Sequence, residues 1–210
     1  MTQRPEQVFP AKCRKCDRQM SSPLVCDYCK ELNPAAAVTD YFTLLGLPQR
    51  FDLDEGELHD KYVALSRFAH PDFHAGEPEE VQRLHLRVSA AINDAYGTLK
   101  DPAARAAYLL ELLGGKGSAQ DKSVPDGFLG TMMMMQEELA DAKSAGDAAE
   151  LGRLRKVLQT QHDGLLRRIA GFFSDLEQAV GCEAVRADLL GEIRKQSNAV
   201  SYVKKLLSLA

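Results

Sequence analysis

Tryptophan is absent, and aromatic residues fill only 7% of the 210 positions, too few for the aromatic-rich strands of a sheet protein. No apolar run approaches the ~20 residues that a bilayer-spanning helix needs. Met1 to Phe9 lacks a continuous apolar core, so no secretory signal is expected there. Positive charge is not in excess either. The formal net charge of −4 removes the electrostatic ground for nucleic acid as a main partner. What remains is an ordinary balance of 45% hydrophobic and 27% charged residues, dominated by Leu, Ala, Glu, Lys and Arg, which favours helices. The chain is longer than one small helical domain requires, and the expected compartment is the cytosol, where thiols stay reduced.

Four of the five cysteines stand together. Cys13, Cys16, Cys26 and Cys29 form Cys-x2-Cys, nine residues, then Cys-x2-Cys. Each pair suits a tight knuckle, and the two supply four thiolates for a tetrahedral ion, zinc before iron. About thirty residues bury too little apolar surface to fold alone, so the ion would supply the folding energy. Two disulfides or a redox pair are the alternatives, set against by the expected compartment and the missing strand–helix context. Cys182 has no partner in sequence and is expected to be an inert, part-buried thiol.

Asn33-Pro34 and the following alanines make a short linker. A short helix is expected after Asp40, with Gly46 ending it. Asp54 then starts a second helix, as an N-cap with Glu57 three residues on. Leu58, Tyr62, Leu65 and Ala69 recur at helical intervals up to His70-Pro71-Asp72, and Leu84, Val88, Ala91, Ala95 and Leu99 do the same beyond it. Pro71 cannot continue a helix and biases His70 away from the α region. Two apolar faces joined by a short polar link pack as an antiparallel hairpin, which puts His70, Pro71 and Asp72 at an exposed tip. A further helix follows Pro102, ended by Gly114-Gly115. Gly114 to Gly127 is a Gly-, Ser-, Asp- and Pro-rich connection.

Beyond it, three helical patterns suggest a compact antiparallel bundle. The first spans about Phe128 to Lys143. The second starts at Asp147, places Leu151, Leu154, Leu158, Leu165, Ile169, Phe172 and Leu176 on one face, and carries Gly164 and Gly171 inside it, where a kink or close packing is possible. The third follows Gly181. Met132 to Met135 cover a full turn, so no single core can bury all four and some must face solvent or a partner. Arg153, Arg155 and Lys156 read as a solvated face. Acid–base chemistry by His70 and Asp72, or a metal site with His74, lacks a nucleophile, a phosphate loop or a second carboxylate cluster, so no enzyme is expected.

His70-Pro71-Asp72 between two helices resembles the J-domain, the module by which co-chaperones engage an Hsp70 ATPase. Asp40-Tyr41-Phe42-Thr43-Leu44 with Gly46-Leu47-Pro48, Ile92-Asn93 with Tyr96, Thr98-Leu99, and Arg105-Ala106 with Tyr108-Leu109-Leu110 are similar to the HscB-type J-proteins of iron–sulfur cluster assembly. Some members, notably eukaryotic ones, carry a cysteine-pair extension. The expected fold is mainly α: a tetracysteine zinc module over 1–36, a J-domain over 37–115, and a three-helix bundle over 116–210.

The resemblance implies a non-enzymatic co-chaperone that stimulates ATP hydrolysis by an Hsp70-family chaperone and hands it an iron–sulfur scaffold protein. His70, Pro71 and Asp72 would touch the Hsp70, with Lys61 and Arg67 steering on the preceding helix. That helix also carries Glu55, Glu57 and Asp60, so its steering should be weaker than in strongly basic J-domains. Apolar and acidic residues of the bundle's first helix bind the scaffold in this family. Leu129, Met133 and Glu137 share one face there, with Met134 bordering it. Where relatives often have Met and Glu, this chain has Gly130 and Met134. The alternative is a general J-protein adaptor for other clients. A zinc-ribbon nucleic-acid adaptor is disfavoured by the acidic balance.

Overall fold

The computed structural model describes residues 12–13, 15–20, 24–26, 28–29, 31–33, 39–70, 76–179 and 181–210. Their seven helices are α1 (Tyr41–Leu45), α2 (Glu55–Ala69), α3 (Glu79–Lys100), α4 (Pro102–Leu112), α5 (Phe128–Ala145), α6 (Ala148–Gln178) and α7 (Glu183–Leu207). They divide into two compact units. One holds the cysteine knuckles and α1 to α3; the other holds α4 to α7 together with residues 50–52. None of the helices is long and apolar enough to cross a membrane.

In the first unit, the Asp40 carboxylate accepts the Thr43 N–H at 3.0 Å and starts α1, and Gly46 ends it at φ 66°, a conformation that costs glycine little. Asp54 caps α2 through the Glu57 N–H at 2.7 Å, whereas the Glu57 carboxylate pairs with Lys61 at 3.4 Å, so the expected capping box is made on one side only. α2 and α3 pack against each other, and α1 closes the core across α3. The buried stripe of α3 runs through His85, Val88, Ile92, Ala95 and Leu99. Leu84 and Ala91, expected at its centre, lie half-buried at its edges. At 100° per residue Ile92 follows Val88 and leads to Ala95 and Leu99, so it takes the middle.

In the second unit, α6 and α7 make the principal packing, with α5 and α4 laid on them. α6 is a continuous 31-residue helix despite its internal glycines, and Asp147 caps it through the Glu150 N–H at 3.0 Å. It buries Phe173, whereas Phe172 and Leu151 are half-buried. Steps of four from Leu165 through Ile169 reach Phe173, which explains the one-residue difference. α4, grouped by sequence with residues 37–115, makes its contacts with α7 and α6. Its capping residue Asp101 also takes the Lys204 ammonium at 2.6 Å.

The Gly/Ser-rich connection is fastened to α7. Arg186 donates to the Leu113 carbonyl at 3.0 Å, Arg194 to that of Lys116 at 2.8 Å, and Asn198 to those of Asp121 and Ser123 at 3.0 and 2.8 Å. Leu158 is fully buried in α6. Leu158→Ala should therefore destabilise the unit by about 2–5 kcal/mol. Urea denaturation would read this as a lower midpoint with an unchanged slope.

Candidate functional site

His70 caps the end of α2. It is exposed and extended, at φ −62° and ψ 125°, as a residue before proline should be. Pro71, Asp72 and His74 lie outside the described residues. Arg67 stands exposed in the last turn of α2, where a cation also suits the helix dipole. Lys61 is placed differently from a free steering charge. Its ammonium donates to the carbonyl of Gly46 at 2.7 Å and pairs with Glu57 at 3.4 Å, so it ties α2 to the end of α1. Across the hairpin, Tyr62 stacks on Tyr96 with centroids 4.0 Å apart, and the Tyr62 hydroxyl donates to Asn93 at 3.1 Å. These pairs fix the two helices in register behind the loop.

The four module cysteines converge. Their sulfurs all lie within 4.8 Å of one another, with Cys13 and Cys29 at 3.5 Å and Cys16 and Cys26 at 3.5 Å. Four thiolates around an ion at 2.3 Å would sit ~3.8 Å apart, so the set fits a tetrahedral metal. Two equivalent turns build it. The Cys13 N–H donates to the Arg18 carbonyl and the Cys26 N–H to that of Glu31, while the pairs Lys12–Gln19 and Val25–Leu32 bridge antiparallel. The second turn thus repeats the first thirteen residues later, the same offset that separates the two Cys-x2-Cys pairs.

The thiols differ in acidity. Cys26 is drawn down to about 6, first by the backbone N–H of Cys29 and also by that of Tyr28. Cys29 has the Glu31 N–H favouring its thiolate, yet burial and the neighbouring thiols push it up to about 12. A cation among the sulfurs would offset the repulsion of four thiolates gathered this closely, so the group is able to hold a metal ion. Cys182, expected to be part-buried, is exposed at the start of α7 and makes no side-chain capping bond. Gly181, at φ 89°, turns the chain there and leaves Cys182 ahead of the helix body, outside the packed face.

On α5 the methionine run divides as its spacing requires. Met132 is buried, whereas Leu129, Met133 and Met134 are 48%, 65% and 64% exposed. Glu137 is exposed beside them. Phe128, Met132, Leu139 and Ala142 face inward, so the outward face carries three large apolar side chains next to a carboxylate. Single exposed apolar residues are ordinary, but three together on one helix form a patch of the kind proteins bury on binding.

The DnaJ domain model matches residues 40–108, and a model described as the HSCB C-terminal oligomerisation domain matches residues 124–196. A co-chaperone protein HscB homolog of Ralstonia nicotianae is 35% identical over 153 residues, which are 72% of this chain and 87% of that protein. The chain belongs to the HscB co-chaperone family. Co-chaperone protein HscB of Proteus mirabilis is 36% identical over 136 residues, 62% of this chain and 79% of its own. The crystal structure of human co-chaperone protein HscB shares the fold, with a TM-score of 0.77 at 22% identity over 94% of this chain and 95% of that one. Chaperone HscB from Vibrio cholerae aligns with a TM-score of 0.62 at 29% identity, over 81% of this chain and 98% of its own.

An HscB-family chain with a DnaJ domain is a J-protein co-chaperone and not an enzyme. In this HscB-family member the DnaJ match runs into α4 and the C-terminal match begins just before α5. The tetracysteine module precedes both matches and is a group able to hold a metal ion.

Proposed function

We propose that this co-chaperone serves iron–sulfur cluster assembly, stimulating ATP hydrolysis by an Hsp70-family chaperone and delivering the cluster scaffold protein to it. His70, Pro71 and Asp72 engage the Hsp70, with Arg67 adding positive charge and Lys61 acting chiefly through its tie to Gly46. Leu129, Met133, Met134 and Glu137 receive the scaffold. Zinc, held by Cys13, Cys16, Cys26 and Cys29, folds the N-terminal module, and the protein works in the cytosol. The three domains are a metal module over 1–36, a J-domain over 37–115 and a scaffold-binding bundle over 116–210.

The observation that carries this reading is the outward face of α5, where Leu129, Met133 and Met134 stand exposed beside Glu137 in a unit other than the one bearing His70. A cargo site and an ATPase-stimulating loop on different units suit a delivery protein. Burying one leucine or methionine is worth about 1.5–3 kcal/mol, and 1.4 kcal/mol is one decade of affinity. Leu129→Ala with Met133→Ala should weaken scaffold binding at least tenfold by calorimetry, while Hsp70 stimulation without scaffold persists. Undiminished affinity moves the scaffold site elsewhere. The pliable Met133 and Met134 favour a second reading, a general adaptor for other clients. Tight binding of an unfolded client in place of scaffold would establish that one.

A further inference from the structure

α6 shows solvent a stripe that neither its core face nor the scaffold reading uses. Arg153, Lys156, Val157, Thr160, Gln161, Gly164 and Arg168 follow helical steps of three and four along it. Across from them stand Phe128, Thr131 and Met135 of α5, also at steps of three and four. The two rows flank a continuous open groove, whose adjoining stretches have volumes of about 570 and 360 Å3 and share Thr131, Thr160 and Gln161. Met135 and Thr131 lie on the flank of α5 away from Leu129, so the groove is distinct from the proposed scaffold face.

One feature of the groove points to an occupant, and a second leaves room for it. The first is charge. Arg153, Lys156 and Arg168 line it against a single carboxylate, Asp126, in a chain whose net charge is −4. Arg153 is neutralised by Glu150 and Glu138, but Lys156 and Arg168 have no ion-pair partner among the described residues. The second is Gly164. A mid-helix glycine weakens a helix, and close packing would justify one, yet a Cβ here would meet only the Arg167 guanidinium at 3.9 Å. The missing side chain leaves the groove floor open instead.

We infer that the α5–α6 groove docks an acidic amphipathic helix of a partner protein. Lys156 and Arg168 are twelve residues apart on α6, about 18 Å, so a partner helix of some three turns would place one carboxylate at each. Between them its apolar residues, at steps of three and four, would lie on Val157, Met135 and the Gly164 floor. Unpaired cations at both ends favour acid over base, and the apolar stretch at Met135 and Val157 favours a helix over a free anion.

The test uses the full chain and a fluorescein-labelled helical peptide of about 14 residues, with leucines at steps of three and four and a glutamate at each end. Its counterpart carries lysines in place of the glutamates. Fluorescence anisotropy should show the acidic peptide binding at least tenfold more tightly, with affinity falling as salt rises. Lys156→Glu with Arg168→Glu should reverse that preference. Gly164→Leu should abolish binding by filling the floor, whereas Gly164→Ala, which improves helix propensity, should reduce it only partly. Circular dichroism confirms that each variant is folded. Equal binding of both peptides, or acidic binding unchanged by the reversals and by Gly164→Leu, overturns the inference. Self-association in sedimentation that these substitutions abolish makes a second copy the occupant, and overturns it as well.

Discussion

His70→Gln should lower Hsp70 stimulation more than tenfold while leaving the helical content of the protein unchanged. The side chain is exposed at the end of α2, beyond the buried Ala69 that closes the helix's core face. Replacing an exposed side chain opens no buried cavity, and substitutions at exposed positions usually move stability by less than ~0.5 kcal/mol. Asp72→Asn should do the same by removing a charge-assisted acceptor, a bond worth about 1.5–3 kcal/mol. A proline at position 71, with its φ fixed by the ring, would limit the entropy lost on docking. Lys61→Ala should behave otherwise. Its ammonium holds the Gly46 carbonyl at 2.7 Å, so the loss would appear first as reduced stability of α1 and α2. Single-turnover ATPase rates beside circular dichroism separate these outcomes. Full stimulation by a folded His70→Gln protein would sink the J-domain role proposed for the loop.

The contrast between His70 and Lys61 marks what a sequence can disclose here. The helices were legible because their determinants are local: caps at Asp40, Asp54 and Asp147, a stop at Gly46, and apolar steps of three and four. The cysteine cluster was legible for the same reason, since two short motifs carry all four ligands. What stayed hidden depends on partners far away in the chain. The hold of Lys61 on Gly46 spans fifteen residues, and the connection at 113–123 is fastened by α7 side chains more than seventy residues downstream. Composition identifies that stretch only as a connection, because it records glycine and serine but not the donors that reach them. The bordering assignments on α3 and α6 slipped by one residue, Ala91 for Ile92 and Phe172 for Phe173, because adjacent apolar residues satisfy a helical period almost equally. Arg153 and Lys156 read as a solvated face, and only the placement of α5 beside them turns that face into a groove wall.

Removal of the metal should have the largest structural effect, confined to the cysteine module. Zinc binding contributes ~10–16 kcal/mol in small zinc-finger peptides, far more than thirty residues gain from their own apolar burial. Cys13→Ser should lower metal content from one ion per chain to well below it and unfold the two knuckles together, because each pair supplies only half of the coordination. Lowering the pH should act in the same direction. Cys26, whose thiol is drawn down from 9.0 to about 6, contributes a stabilisation that is complete above about 9 and is lost as the pH falls toward 6. Cys29 and Cys16, both raised, hold their protons to higher pH when no ion is present, so protons compete with the metal from that side too. Metal analysis and amide exchange of the Cys13→Ser protein, with and without added zinc, read both effects. α1 to α3 should keep their protection, since Phe42, Leu44, Leu58, Val88 and Ile92 form a core without the cysteines. Hsp70 stimulation should then persist. Its complete loss in Cys13→Ser would show that the knuckles belong to the Hsp70-docking surface, and a coloured iron centre in the native protein would replace zinc as the ion.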